Sequence, residues 1–371
     1  MRNFKDSKRI VIKIGTSTLS TADGVNRAYI QTLAKQIAWL IGTGRQVLVV
    51  SSGAIGMGAK QLKMDGPITD MKLRQACAAT GQPLLMHAYH EAFSAVGLTV
   101  SQVLLTAEVL DKRKTYLNLK NAIEGLLKLG AVPILNENDC VSTAEIGTAF
   151  GDNDKLSALV ASKIDADLLI MLTDIDAMYD KNPHKYPDAK PIRVIPEITD
   201  EIVKAAGTKG STHSTGGMKT KLAAAKITAT AGCRMALVNG SETNVIRRVI
   251  EGEEIGTLFL AKQQSLTNRT RWILHSKAEG TIHIDDGALA AVRKRKSLLP
   301  SGIKAVEGAF AAGSVVMLNN VAKAVVSLSS EELGRVAGQH SEKIRQLLGP
   351  DRRDVVAIPE DIVFLDTPEK K

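Results

Sequence analysis

A chain of 371 residues, 44% hydrophobic and 23% charged, has globular composition and enough length for two domains around a sizeable core. Only 4% of the residues are aromatic, which argues against a broad base-stacking surface for single-stranded nucleic acid. The formal charge of +9 is unevenly placed, with 8 Lys/Arg against 2 Asp/Glu over 201–250, 6 against 10 over 151–200 and 14 against 13 over 277–371, which fits a local anion site better than a general nucleic-acid surface.

In chain order, the N-terminal "MRNFKDSKRIVIKIG" is charged and its apolar run is broken by Lys13, so it reads as neither a signal peptide nor a membrane span. No later run approaches spanning length. Arg9–Ile14 reads as a strand, Asn26–Ile41 as an amphipathic helix, and Gln46–Ser52 as a buried strand followed by "GAIGMGAK". A long helical region covers about Met71–Val96, then come a strand at Thr99–Leu105, a helix at about Lys114–Leu129 and a strand at Ala131–Asp139. A helix over Asp154–Ile164 and a strand over Ala166–Asp174 follow. Such alternation predicts an α/β fold, a mainly parallel sheet with helices on both faces. Near Arg271 the pattern changes, and "RWILHSKAEGTIHIDDGALAAV" and "GSVVMLNNVAKAVVSLS" read as short strands of a compact β-rich module. Cys77, Cys140 and Cys233 stand far apart with no CxxC spacing, which argues against a zinc site or a disulfide framework and fits a reducing cytoplasm.

Ligands of parallel sheets bind at the carboxyl ends of the strands. There the chain places Lys13 to Ser17, Ser51 to Gly53, Asn136 to Asp139, and Thr173 with Asp174. Lys13 is either an edge-strand lysine facing solvent or, because "KIGTS" follows, a lysine reaching a phosphate. No GxxxxGK[ST] sequence occurs, which disfavours a P-loop NTPase. "SSGAIGMG" has the glycines in the wrong order for a dinucleotide fingerprint; it is either close packing of helix on strand or a helix N-terminus that holds an anion with Ser52. "STGGMKTKLAAA" (Ser214–Ala225) puts Lys219 and Lys221 in the first turns of a helix, where cations oppose the macrodipole. Glycine amides beside those lysines suit a nucleotide phosphate; the plainer alternative is a solvated lysine face. "FGDNDKLSA" (Phe150–Ala158) gathers Asp152, Asn153 and Asp154 on one turn, which could cap a helix, hold a metal or organise a basic phosphate site. His87 and His90 share a helix but have no third ligand in view.

Taken together, "VIKIGTS", "VVSSGAIGMG", "PILNENDCVSTAEIGTAFGDNDKLSALVA", "MLTDIDAMYDKNP" and "STGGMKTKLAAA" resemble the amino-acid kinase family, in the branch that phosphorylates glutamate. "EGTIHIDDGA" and "SLLPSGI" resemble a PUA domain. The resemblance runs through nearly the whole chain. It implies an amino-acid kinase domain over 1–265, a linker over 266–276, a PUA domain over 277–360 and a tail over 361–371. It further implies transfer of phosphate from ATP, with Mg2+, to the γ-carboxylate of L-glutamate, the first step of proline synthesis. Carried over by motif, Lys13 and Lys221 would stabilise the transferring phosphoryl group and Asp154 would orient them. Ser52, Asp139 and Asn153 would hold glutamate, with Asp139 on its ammonium. Lys13, Thr173, Asp174 and the loop Thr215, Gly216, Gly217, Met218, Lys219, Thr220 and Lys221 would bind ATP. Asp152 would assist or face the magnesium shell. Lys219, Ser51 and Cys140 depart from the residues common at those positions, serine, threonine and a small residue respectively.

The resemblance also implies a homo-oligomer (dimer or tetramer), feedback inhibition by proline, and hand-off of a labile acyl phosphate to glutamyl phosphate reductase. The rival readings are another amino-acid kinase, acting on acetylglutamate, aspartate or a nucleotide, and an RNA-binding role for the PUA domain through Arg293–Lys296. The first is opposed by "NEND" with "GDND", the second by the near-neutral charge of 277–371.

Overall fold

Eight strands form the larger sheet: β1 (Arg9–Ile14), β2 (Gln46–Val50), β3 (Val100–Leu105), β4 (Val132–Glu137), β5 (Leu168–Thr173), β6 (Val194–Ile195), β7 (Arg234–Asn239) and β8 (Thr257–Phe259). They lie in the order β6-β8-β7-β5-β1-β2-β4-β3, and every neighbouring pair is parallel except β7 with β8. The computed structural model describes residues 2–21, 24–64, 66–141, 153–181, 183, 185–205, 217–262, 266–339, 344, 346, 347, 349 and 355–365.

The central strands are near-continuous apolar runs because helices cover both faces of the sheet. The helices of this unit that matter here are α1 (Arg27–Gly42), α2 (Ala54–Gln61), α3 (Met71–Ser94), α4 (Arg113–Lys128), α5 (Asn153–Lys163) and α6 (Met218–Thr230). Alternation along β1 sends Ile10, Ile12 and Ile14 into one apolar layer, with Leu33 and Ile37 of α1 and Leu85 and Tyr89 of α3. Val11 enters the opposite layer, with Leu156 and Val160 of α5 and Leu222 and Ala225 of α6. Lys13 shares the Val11 face by the same period of two. A lysine inside a central strand is therefore directed toward α5 and α6.

Helix starts follow local capping chemistry. The Asn26 side chain accepts from Tyr29 N at 3.1 Å to open α1, and Asp70 accepts from Leu73 N at 2.9 Å to open α3. Each expected strand and helix up to Thr173 is present, with ends shifted by a few residues. Strands β6, β7 and β8 were not anticipated. β6 and β8 are too short to leave a periodic signal, and β7 is a buried apolar run that periodicity cannot tell from a helix segment.

By contact the chain divides into two compact units, Met1–Leu110 with Lys114–Leu266, and Asp111–Arg113 with Thr267–Lys371. The second unit has a five-stranded sheet of its own. Its strands are β9 (Thr281–Ile284), β10 (Ile303–Glu307), β11 (Val315–Leu318), β12 (Ala322–Val325) and β13 (Ile362–Phe364), in the order β10-β9-β11-β12-β13. Ile282, Val316, Leu318 and Ala324 form its separate core. Two stretches expected as strands are helices: α7 (Asn268–His275), which contains "RWILH" and lies in the stretch expected as a linker, and α8 (Asp286–Arg293). Their caps explain it, since Thr267 accepts from Thr270 N at 3.2 Å and Asp285 from Ala288 N at 2.7 Å. No described helix is long and apolar enough to cross a membrane.

Candidate active site

Strands β5, β1, β2 and β4 are adjacent and parallel, so their carboxyl ends share one edge. The turns that leave them carry Gly15, Ser51 and Ser52, Asn138 and Asp139, and Asp174. Gly53 follows β2 with φ of 91°, a left-handed conformation that suits glycine and lets α2 start at once. Gly15 is extended, and its N–H donates to Leu172 O at 3.0 Å.

The centre of the edge is a buried charge cluster. Lys13 Nζ stands 2.7 Å from Asp154 Oδ1, and Lys221 Nζ stands 3.2 Å from Asp154 Oδ2. Thr220 Oγ1 donates to the same Oδ2 at 3.0 Å. Asp154 is fully buried and the two lysine side chains are 5% and 7% exposed. Burying a charge is costly unless it is paired and hydrogen-bonded, and here one carboxylate serves two ammonium groups. Charges held in such a buried setting are poorly screened. Three elements build the cluster: β1 supplies Lys13, the first turn of α5 supplies Asp154, and the first turn of α6 supplies Thr220 and Lys221. The solvent-facing alternative for Lys13 is excluded, because β1 lies between β5 and β2 and the residue is 4% exposed. The lysine pair of α6 divides: Lys221 turns inward to Asp154, whereas Lys219 is exposed.

Beside the cluster runs a chain of amides. Asn153 Nδ2 donates to Ser51 O, to Ser52 Oγ at 3.2 Å and to Asn136 Oδ1 at 2.9 Å. Asn136 Oδ1 also accepts from Glu137 N at 3.0 Å, and Asn136 Nδ2 donates to Gln82 Oε1 at 2.8 Å. Ser51 Oγ and Tyr89 OH are 3.0 Å apart, and burial pushes the Tyr89 phenol well above its usual range. Sequence reasoning placed Asn136 at a strand end without giving it a role, and it missed Gln82 and Tyr89 altogether. The signal for Asn136 was its place one residue before the end of a parallel strand. Gln82 and Tyr89 carry no such signal, because they come from the middle of α3.

Asp139, two residues past β4, is half-buried. Burial raises its carboxyl above the ordinary range, while the charge of Arg74 pulls it back. On the other side of Lys13, Thr173 is buried and its Oγ1 donates to Asp174 Oδ1 at 2.9 Å. Gly217 caps α6 with no side-chain hydrogen bond, and Met218 packs against the apolar layer of α5 and α6. Thr215, Gly216 and Asp152 lie outside the described residues. Among the described residues, no group of three or more His, Cys, Asp and Glu is placed to hold a metal, and both oxygens of Asp154 are engaged by Lys13, Lys221 and Thr220.

The glycines of "SSGAIGMG" divide as well. A Cβ on Gly58 would stand 1.8 Å from Cys77 O of α3, and one on Gly81 would stand 1.9 Å from Ala54 O of α2. The close packing is therefore helix on helix, where the sequence suggested helix on strand.

Residues 8–239 match the amino acid kinase family, and residues 280–348 match the PUA domain. The chain belongs to the amino acid kinase family. It is 45% identical to the glutamate 5-kinase of Methanosarcina mazei, over 98% of this chain and 97% of that protein. It is 44% identical to the glutamate 5-kinase of Geobacter sulfurreducens, over 96% and 98% of the two chains. Among solved structures, carbamate kinase from Giardia lamblia bound to AMP-PNP aligns with a TM-score of 0.51 at 17% identity, covering 70% of this chain and all of that one, a likeness of fold.

Proposed function

We propose that this chain catalyses the glutamate 5-kinase reaction, moving the γ-phosphoryl group of ATP to the γ-carboxylate of L-glutamate. The observation that carries the reading is the Lys13–Asp154–Lys221 cluster, two buried ammonium groups held on one carboxylate at the carboxyl edge of a parallel sheet. Near-full-length similarity to glutamate 5-kinases supplies the substrate.

The chemistry asks for positive charge and little else. A carboxylate is ionised at neutral pH, so the nucleophile needs no general base. Its oxygen forms a bond to the γ-phosphorus while the bond from that phosphorus to the β,γ-bridging oxygen breaks, and no proton moves. The obstacle is that an anion attacks a polyanion. Lys13 and Lys221 neutralise charge on the transferring group, and Asp154 keeps the two like charges at fixed positions. In this reading Ser52 and Asn153 hold the glutamate, and Asp139 pairs with its ammonium. Asn153 already spends its amide hydrogens on the protein, so substrate must displace one of those contacts. Thr173, Asp174 and the start of α6 line the nucleotide side. Mg2+ brought with ATP would supply further charge neutralisation on the nucleotide side, where Thr173, Asp174 and the start of α6 stand. Further parts of the proposal are a cytoplasmic homo-oligomer, inhibition by proline and transfer of the labile product to a reductase.

The test is formation of a hydroxamate when hydroxylamine traps the acyl phosphate, with ATP, Mg2+ and either glutamate, acetylglutamate or aspartate. Trapping is expected with glutamate. Equal or better trapping with either rival, or none with glutamate, refutes the assignment.

A further inference from the structure

We infer that Gln82 is a positioning residue that fixes the amide orientation of Asn136 and, through it, Asn153, and thereby sets affinity for the amino-acid substrate. The inference rests on the glutamate reading above. It concerns a residue in the middle of α3 that reaches the strand-end groups through Asn136.

The orientation of the amides follows from backbone groups at both ends of the chain. Glu137 N–H can only donate, so the Asn136 atom 3.0 Å from it is Oδ1. Asn136 Nδ2 then faces Gln82, and the Gln82 atom 2.8 Å away is Oε1. At the other end, Ser51 O can only accept, so the Asn153 atom on it is Nδ2, which also reaches Asn136 Oδ1 at 2.9 Å. Gln82 and Asn136 are 7% and 2% exposed, so water does not readily stand in for a lost partner. Among the described residues Gln82 Nε2 has no hydrogen-bond partner. A glutamine with one buried donor unmet is a costly way to fill space, and the part of it the network uses is its oxygen.

The fold explains why α3 can deliver that oxygen. Gly81, the preceding residue, lets α3 close against Ala54 O of α2. Tyr89, seven residues further on and so on the same face two turns away, meets Ser51 Oγ at 3.0 Å. One face of α3 thus holds the ends of both β2 and β4. Without the Gln82 oxygen, Asn136 Nδ2 loses its acceptor. A flipped Asn136 would then set donor against donor at Glu137 N and at Asn153 Nδ2, and Asn153 would leave its place.

The experiment is steady-state kinetics of the full chain carrying Gln82→Met or Gln82→Glu, with glutamate and ATP varied separately. Met matches the side chain in length without an oxygen, whereas Glu keeps an acceptor at the same place. Gln82→Met is expected to raise the KM for glutamate about tenfold, the worth of one well-placed buried hydrogen bond, and to leave the KM for ATP within about twofold. Gln82→Glu is expected to bring the KM for glutamate back to within about threefold of wild type. If Gln82→Met does not fold, Gln82→Ala takes its place with the same split expected. A glutamate KM unmoved by loss of the oxygen, a rise equal in both variants, or an equal rise in the KM for ATP overturns the inference alone. A wild type that does not turn over glutamate overturns it together with the reading on which it rests.

Discussion

At the residue scale, charge placed where it cannot be solvated marks the site. Lys13 was legible because a lone lysine in a strand of Ile and Val, directly before glycine, has few reasons to be there. Period-two alternation then puts it on the α5 and α6 face. Asp154 stood out for the same reason, as an acid beside a basic segment. Spacing alone did not separate Lys219 from Lys221, since both look like surface on a first helical turn; the resemblance did, giving only Lys221 a place on the transferring phosphoryl group, and packing turns Lys221 inward. Asp139 carries a pH prediction. Its folded-state carboxyl lies above the unfolded value because it is buried, so the ionised group subtracts stability at neutral pH. That loss shrinks as the pH falls below the raised value and is gone below the ordinary aspartate range. On the proposed reading, a substrate ammonium group would reverse the balance by pairing with the ionised form. Accordingly kcat/KM for glutamate should decline on acidification, in a range above that of an ordinary aspartate. Asp139→Asn should flatten this limb and weaken glutamate use about tenfold or more at pH 7. An acid limb that is unchanged in Asp139→Asn would belong to another group.

At the element scale, caps and glycines decided the geometry that positions the strand ends. The strands nearest the site were readable because each is a buried apolar run closed by polar residues. Helices α7 and α8 were misread as strands, since eight residues leave a weak period and their caps, Thr267 and Asp285, were passed over. The contact between α2 and α3 was invisible for a different reason: a glycine in a sequence says that a side chain is absent, but not what occupies its place. Gly58→Ala tests the contact. Its Cβ would meet backbone, Cys77 O at 1.8 Å, which cannot rotate away. The two helices must separate, at a cost of about 1–3 kcal/mol or more, and Gln82 and Tyr89 are displaced with α3. Denaturant titration should show the loss of stability, and kinetics should show a raised KM for glutamate. By contrast Gly56→Ala, where an added Cβ meets nothing within 4 Å, should be close to neutral in both.

At the scale of the whole molecule, the two units have separate apolar cores, and every candidate site residue lies in the first. The fold class followed from the alternation of strands and helices, whereas the strand order, with β1 at the centre and β5 as its neighbour, rests on long-range pairing that no local pattern encodes. A chain ended after Leu266 should keep glutamate-dependent turnover within about tenfold of the full chain, since it loses none of the charged groups around Asp154. The central claim is that two lysines on one buried carboxylate drive phosphoryl transfer to a carboxylate. Lys221→Met addresses it most directly, because Asp154 keeps Lys13 at 2.7 Å and the fold keeps its buried pair. With glutamate and ATP both saturating, and the melting temperature measured alongside, kcat should fall at least about a hundredfold while the protein stays folded. A folded Lys221→Met variant with kcat near that of wild type would contradict the account.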